Sequence, residues 1–122
     1  MVRTRAWCKG DTVERDFPVD RISDLVADPD TFVWIDHTDP TSADLEQIEE
    51  ELGIHALAVE DAVEHGQRPK LDRYRDSLFL VVYDVGGTDD AGDLITHEVK
   101  AFVTERALVT IHGSDVDTAR ME

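Results

Sequence analysis

The sequence TFVWID, at residues 31–36, is the stretch that decides the fold. β-Branched and aromatic residues follow one another there almost without interruption, which is typical of a strand covered on both faces. A helix is predicted to follow at 41–52, with Thr41 or Ser42 as its N-cap. Gly53 then suits a left-handed C-cap. A buried strand that passes directly into a helix indicates a domain of the α/β class.

The segments around this strand–helix unit extend the same pattern. Towards the N-terminus, residues 2–18 are predicted to form a β-hairpin and residues 20–27 a short helix. Towards the C-terminus, a second helix is predicted at 56–64. Strands are then predicted at 70–74, 77–85, 95–104 and 107–112. The order of elements predicts one domain, residues 1–122, built as a mixed β-sheet flanked by helices in layers. Residues 114–122 have the pattern of a tail or of the start of a further helix.

Acidic residues dominate the composition. The chain has 28 Asp and Glu against 12 Lys and Arg, a formal net charge of −16. Nucleic acid and anionic lipid are excluded as partners because both need clustered basic residues. The longest apolar run, 78–83, is far shorter than the roughly 20 residues of a membrane helix. Residues 1–10 have no signal-peptide pattern, so the chain is predicted to be soluble, and its single cysteine excludes an internal disulfide.

The usual sequence patterns of enzymes are absent. The five histidines form no His-Glu-x-x-His motif and no helical pair, which indicates structural or surface roles rather than zinc ligation. No Gly-x-Ser-x-Gly element or phosphate-binding loop occurs, and Cys8 has no histidine close in sequence. The acidic loop at 86–93 lacks the closing glutamate of a calcium-binding loop. It is predicted to be a hairpin connection, and the chain is predicted not to be an enzyme.

One group of carboxylates remains, on the predicted helix 56–64. At 100° per residue, Glu60, Asp61 and Glu64 share one arc of about 100° on the outer side. The apolar stripe that packs on the sheet is then formed by Ala56, Val59 and Val63. Like charges at i and i+4 destabilise a helix by a few tenths of a kcal/mol, a penalty that a hard cation would remove. Spacing alone leaves two interpretations open, a solvated helix face and a metal site.

Several motifs resemble the N-terminal domain of CorA-type magnesium/cobalt transporters. They are Trp34-Ile35-Asp36, Leu52-Gly53-Ile54-His55, Leu57, Glu60-Asp61 and Gln67-Arg68-Pro69-Lys70. The strand pattern at 78–84 and Leu108-Val109-Thr110-Ile111-His112 also fit the family. The resemblance covers residues 31–113 and identifies the chain with the cytoplasmic part of this family.

The resemblance implies a homopentamer. Each subunit of the family has a cytoplasmic α/β domain, a long helix and two membrane helices with a Gly-Met-Asn motif. The acids that match Glu60 and Asp61 bind divalent cations between neighbouring domains, together with acids from later segments. Glu60 and Asp61 are therefore the predicted metal ligands, for Mg²⁺, Co²⁺ or another divalent cation. Cation occupancy would favour the closed channel.

The chain itself contains no long stalk helix, no membrane helix and no Gly-Met-Asn motif. It is therefore expected to carry only half of each regulatory site, with Glu60 and Asp61 largely open to water. Its expected partners are the other subunits of the pentamer and the membrane region of the same protein. The expected location is the cytoplasmic face of the cell membrane. Glu64 matches no family position and is predicted to be solvated.

Two alternatives remain open. One is the domain of a ZntB-type zinc transporter, although the lack of a histidine or cysteine cluster favours an ion with oxygen ligands. The other is a free-standing acidic domain that binds a protein partner. Among the remaining motif residues, Trp34 and Ile35 are predicted core residues. Arg68 is predicted to pack near or cap a helix C-terminus, and Pro69 to prevent that helix from continuing.

Overall fold

The computed structural model describes residues 1–114, apart from the side chain of Val13. Its strands are β1 (Val2–Cys8), β2 (Asp11–Arg15), β3 (Thr31–Thr38), β4 (Lys70–Tyr74), β5 (Ser77–Thr88), β6 (Leu94–Val103) and β7 (Ala107–His112). Its helices are α1 (Ile22–Val26), which follows a 3₁₀ turn at Val19–Arg21, α2 (Ser42–Leu52) and α3 (Ala56–Ala62). The predicted hairpin, helices and strands are thus confirmed in kind and order. The tail or start of a further helix predicted at 114–122 lies, from residue 115 onwards, outside the described residues.

The strands form one mixed sheet in the order β2-β1-β3-β7-β6-β5-β4. Strands β3 and β7 run parallel, and the other pairs within the described residues are antiparallel. A parallel neighbour requires a crossover connection, and the chain between β3 and β7 supplies it through α2, α3 and strands β4 to β6. The predicted fold class, an α/β domain with a mixed sheet, is confirmed.

The core lies between one face of the sheet and the helices. The sheet contributes Val33, Ile35, Phe79, Val81, Phe102 and Val109, and the helices contribute Ile22, Leu45, Ile48, Ala58, Val59 and Ala62. The rings of Phe79 and Phe102 lie 5.3 Å apart at its centre. Ile35 is fully buried, as predicted. This core determines how α3 is oriented on the sheet.

The opposite face of the sheet carries no helix within the described residues. Alternate side chains point to opposite faces of a strand, and on this face Phe32, Leu71 and Val82 are 39%, 52% and 46% exposed. Trp34, predicted to be a core residue, is half-buried here, and its indole N–H donates to the Thr110 hydroxyl. The prediction that β3 is covered on both faces is therefore wrong at Phe32.

Helix α2 has the predicted ends. The Thr41 hydroxyl accepts a hydrogen bond from the backbone N–H of Asp44, and the Asp44 carboxylate accepts one from the backbone N–H of Thr41. This capping box satisfies two donors that the first turn leaves unpaired. Gly53 ends the helix with a φ of +66°, a conformation that costs other residues steric strain.

The acidic hairpin connection begins later than predicted, because β5 continues to Thr88. The carboxylate of Asp89 accepts hydrogen bonds from the backbone N–H groups of Ala91 and Asp93. Such bonds are typical of a turn closed by its own aspartate. The structure therefore confirms a hairpin connection between β5 and β6.

Candidate functional site

Helix α3 carries the predicted metal ligands. It begins after His55, whose Nδ1 accepts a hydrogen bond from the backbone N–H of Leu57 at 3.1 Å. It ends at Ala62 rather than at Glu64. Glu64 is exposed and lies beyond the last turn, so it does not share a helical face with the other two acids.

The helix is rotated relative to the prediction. The predicted stripe was Ala56, Val59 and Val63. The structure instead buries Ala58, Val59 and Ala62 and leaves Val63 50% exposed. At 100° per residue this moves the centre of the buried face by about 80°. The Ala and Val residues at 56–63 allow two alternative apolar stripes, and the sequence pattern does not distinguish them.

This rotation places the two predicted ligands in different surroundings. Glu60 points away from the core and is exposed, as expected. Asp61 lies on the flank that faces β4, and the expectation that it is largely open to water is wrong. Its Oδ2 is 3.3 Å from Nζ of Lys70 and 3.5 Å from the hydroxyl of Tyr74. One third of the Asp61 side chain remains exposed.

Lys70 brings a positive charge to this flank. Its Nζ is also 3.1 Å from Oδ2 of Asp72 and lies 5.5 Å from the centre of the Phe79 ring. The hydrogen bond to Asp72 is the largest cause that raises the pKa of Lys70 above its ordinary value. Burial opposes this increase, and the hydrogen bond to Asp61 adds to it. The carboxylate of Asp61 is therefore already partnered by a cation that belongs to the same chain.

The end of α3 is fixed by side chains from other elements. The side-chain amide of Gln67 donates to the carbonyl oxygens of Asp61 and Glu64, at 2.6 Å and 3.1 Å. Nζ of Lys100 on β6 donates to the carbonyl oxygen of Ala62 at 2.8 Å. Carbonyl groups at a helix C-terminus lack partners within the helix, and these donors supply them. Arg68, predicted to pack near or cap a helix C-terminus, is exposed, and the side chain that donates to these carbonyl oxygens is that of Gln67.

Glu98 connects Gln67 and Lys100 beneath this end of α3. Its carboxylate accepts hydrogen bonds from the backbone N–H of Gln67 at 3.1 Å and the hydroxyl of Tyr83 at 3.2 Å. It also lies 3.3 Å from Nζ of Lys100. Burial acts to raise the pKa of Glu98, but the charge of Lys100 and these hydrogen bonds together hold it below the ordinary value. Lys100 is only 2% exposed, so this pair is almost entirely withdrawn from water.

A cavity of about 540 Å³ lies between the start of α2, the end of α3 and the sheet. Its polar lining includes Asp39, His65, Tyr83, Glu98 and Lys100. Sequence analysis did not identify this group, because its members lie up to 61 positions apart and form no motif. The signal that was available is Lys100 itself, a cation within the otherwise apolar run of residues 99–103.

Two histidines, His37 and His112, are buried in the fold. The ring of His112 contacts the carboxylate of Asp36, with Nε2 2.8 Å from Oδ1, and its Nδ1 lies 2.7 Å from the carbonyl oxygen of Gly113. His37 is 3% exposed, and its ring nitrogens have no hydrogen-bond partner among the described residues. Burial lowers the pKa of His37, so its ring is neutral at pH 7.

Within residues 1–114, no group of three or more His, Cys, Asp or Glu side chains is arranged to hold a metal ion. Glu60 and Asp61 therefore offer two carboxylates on one turn of helix. Mg²⁺ is commonly bound by one or two protein carboxylates together with several waters. The donor chemistry fits a hard dication, but the remaining ligands would have to come from water or from another segment.

Comparison with known proteins places these features in a family. The family model described as "CorA-like Mg2+ transporter protein" matches residues 29–120. "Putative metal ion transporter YfjQ" of Bacillus subtilis (strain 168) is 31% identical over 99 residues, which are 80% of this chain and 28% of that protein. The chain thus spans little more than a quarter of the length of this relative.

Two solved structures share the fold. The soluble domain of CorA from Methanocaldococcus jannaschii matches with a TM-score of 0.65 and 13% identity, over 99% of this chain and 44% of that one. The ZntB cytoplasmic domain from Vibrio parahaemolyticus RIMD 2210633 matches with a TM-score of 0.56 and 14% identity, over 74% of this chain and 36% of that one. At these identities the likeness concerns the fold alone. No helix in the described residues is long and apolar enough to cross a membrane.

Proposed function

Because the chain belongs to the CorA-like Mg²⁺ transporter protein family, we propose that it is the cytoplasmic regulatory domain of a divalent-cation channel or transporter. The family match over residues 29–120 is the observation that carries this proposal. Under this proposal, the domain senses intracellular Mg²⁺ through Glu60 and Asp61 at the boundary between subunits of a homopentamer. The membrane-spanning part would belong to the portion of the protein that corresponds to the rest of the YfjQ length.

The charge of the chain supports a role for cations in such an assembly. Each chain has a formal net charge of −16, so five copies in a ring would repel one another. A dication shared between two subunits would offset part of this repulsion, because it would be attracted to carboxylates on both sides. Any ion that binds only the assembled form stabilises that form by mass action. Loss of the ion would then let the subunits separate and the channel open.

The positions of the two acids also support this role. Glu60 is exposed and unrestrained by the core, so a neighbouring subunit could approach it. The carbonyl of Asp61 is held by Gln67 and that of Ala62 by Lys100, which fixes the turn that carries both acids. A fixed turn reduces the conformational entropy that is lost when a ligand binds. Both carboxylates are oxygen ligands, as Mg²⁺ requires.

The proposal is tested with the full-length protein in lipid vesicles. Uptake of Mg²⁺, Co²⁺ and Zn²⁺ is measured with indicator dyes, first without Mg²⁺ and then with millimolar Mg²⁺ on the side of the domain. We expect internal Mg²⁺ to suppress uptake in the wild-type protein and to suppress it far less in the Glu60→Gln/Asp61→Asn variant. A Glu46→Gln/Glu50→Gln variant removes the same charge from exposed positions of α2 and should respond like the wild type.

Each part of the proposal would be contradicted by a different experimental result. No uptake of any of the three ions would contradict the transport function. Uptake of Zn²⁺ without Mg²⁺ would favour the zinc-transporter alternative. An unchanged response to internal Mg²⁺ in the Glu60→Gln/Asp61→Asn variant would contradict the sensing role of these two acids while leaving transport intact.

A further inference from the structure

The ammonium group of Lys70 lies against one of the two carboxylate oxygens with which Asp61 could bind a metal ion. Its Nζ is 3.3 Å from Oδ2 of Asp61 and 3.1 Å from Oδ2 of Asp72. The two carboxylates are thus bridged by one positive charge. A dication that binds Oδ2 of Asp61 has to displace Lys70 from it, and one that binds the other oxygen is repelled by the nearby ammonium group.

The backbone of Lys70 is held in place by the fold. Lys70 is the first residue of β4 and pairs with Val81 of β5. Its side chain is about two-thirds buried, and its Nζ lies near the face of the Phe79 ring. A tethered group of this kind has an effective concentration of the order of millimolar or more at its partner. Lys70 therefore competes with external cations for Asp61.

We propose that Lys70 is a built-in competitor that sets the affinity and the charge selectivity of the cation site at Asp61. This inference rests on the regulatory role proposed above and adds a residue that controls it. A monovalent ion carries no more charge than the ammonium group that it would replace. A dication is attracted more strongly and can displace Lys70, which then stays paired with Asp72. Competition by Lys70 raises the concentration of divalent cation that is needed to occupy the site, and it excludes Na⁺ and K⁺.

The test compares Mg²⁺ binding by the wild-type chain and by its Lys70→Gln variant. Binding is followed by NMR titration of the signals of residues near Asp61, with Na⁺ as the monovalent comparison. Because Lys70→Gln removes a charge that both competes with and repels the ion, we expect affinity for Mg²⁺ to rise by about five- to tenfold. The Lys70→Arg variant retains the charge and should bind as weakly as the wild type. Adding Asp61→Asn to Lys70→Gln should abolish the gain.

A second measurement observes the displacement directly. In the wild-type chain, the Nζ and Cε signals of Lys70 should shift as Mg²⁺ is added, and Na⁺ at the same ionic strength should leave them unchanged. The signals of Lys9, an exposed lysine 4.0 Å from Asp30, serve as the control for non-specific effects of salt. This measurement needs no substitution, so it holds even where a variant is poorly folded.

Several results would overturn the inference. Equal Mg²⁺ affinity of the wild-type chain and Lys70→Gln would show that Lys70 does not compete, and so would a Lys70 signal that ignores Mg²⁺. An absence of binding in both chains would overturn it as well. These results leave the proposed function to its own test, the Mg²⁺ response of Glu60→Gln/Asp61→Asn in the full-length protein. A loss of that response together with unchanged binding in Lys70→Gln would retain the site and reject the competitor.

Discussion

Replacing Lys100 with methionine tests how α3 is anchored to the sheet. Nζ of Lys100 donates to the carbonyl oxygen of Ala62 at 2.8 Å and lies 3.3 Å from the carboxylate of Glu98, and the side chain is 3% exposed. Methionine keeps the length and the apolar stem of lysine but removes the charge and the donors. The carbonyl of Ala62 then lacks a partner, and Glu98 loses its cation.

The expected loss of stability follows from these two contacts. A buried polar group that loses its hydrogen bond costs about 1–3 kcal/mol, and breaking a fully buried ion pair costs about 3–5 kcal/mol. Glu98 retains its hydrogen bonds from Gln67 and Tyr83, and its side chain is 16% exposed, so the loss of its cation costs less than in a fully buried pair. We expect a decrease of about 2–3 kcal/mol in the free energy of unfolding, which corresponds to a fall of about 10 °C in Tm for a chain of this size.

Urea unfolding followed by circular dichroism measures this change, with thermal melting as a second measurement. Lys9→Met is the matched control, because Lys9 is 75% exposed and its carboxylate partner lies 4.0 Å away. That control should change the free energy of unfolding by less than about 0.5 kcal/mol. The double variant Lys100→Met/Glu98→Gln should recover at least about 1 kcal/mol relative to the sum of the single changes. A loss below about 0.5 kcal/mol in Lys100→Met would refute the anchoring role.

Two further predictions concern a buried base and the open face of the sheet. Burial lowers the pKa of His37, so the unfolded chain takes up a proton more readily than the folded one, and stability should fall as pH decreases below about 6.5. Urea unfolding is measured at pH 7.5 and at pH 5.5. The free energy of unfolding should decrease less between these pH values in His37→Leu than in the wild type or in His65→Gln. An equal decrease in all three proteins would contradict this prediction. Val81 and Val82 are neighbours on β5 with 1% and 46% exposure, so Val81→Ala should cost about 2 kcal/mol and Val82→Ala less than about 0.5 kcal/mol. Similar costs for both would mean that the second face is covered.

The sequence was sufficient to predict the order and the kind of the elements. A local signal marks each boundary that was predicted well. Thr41 and Asp44 form the capping box of α2, Gly53 supplies the left-handed residue that ends it, and strand β3 has a run of β-branched and aromatic residues. Such signals depend on a few residues that are neighbours in sequence, so a sequence pattern is enough to reveal them.

The orientation of α3 could not be predicted in the same way. A helix of seven residues completes two turns, and its Ala and Val residues allow more than one apolar stripe. The choice depends on contacts with β4, β5 and β6, which follow later in the chain. Strand β3 shows the same limit. Its pattern indicated burial of both faces, yet exposure of Phe32 depends on what the rest of the chain places over the second face.

The Gln67-Arg68-Pro69-Lys70 segment both caps the end of α3 and places a cation beside Asp61. Gln67 must lie beside the end of α3 to donate to the carbonyl oxygens of Asp61 and Glu64. Pro69 cannot continue a helix, because it lacks a backbone N–H, and β4 begins at the next residue.

Three residues after Gln67, Lys70 therefore returns along the flank of the helix that Gln67 has just capped, and its ammonium group meets the carboxylate of Asp61. The same spacing that ends the helix thus sets the distance between Asp61 and its partner cation. A shift of Lys70 by one position would turn its side chain to the opposite face of β4. The length of this motif is consequently constrained by the contact between Lys70 and Asp61 as well as by the turn.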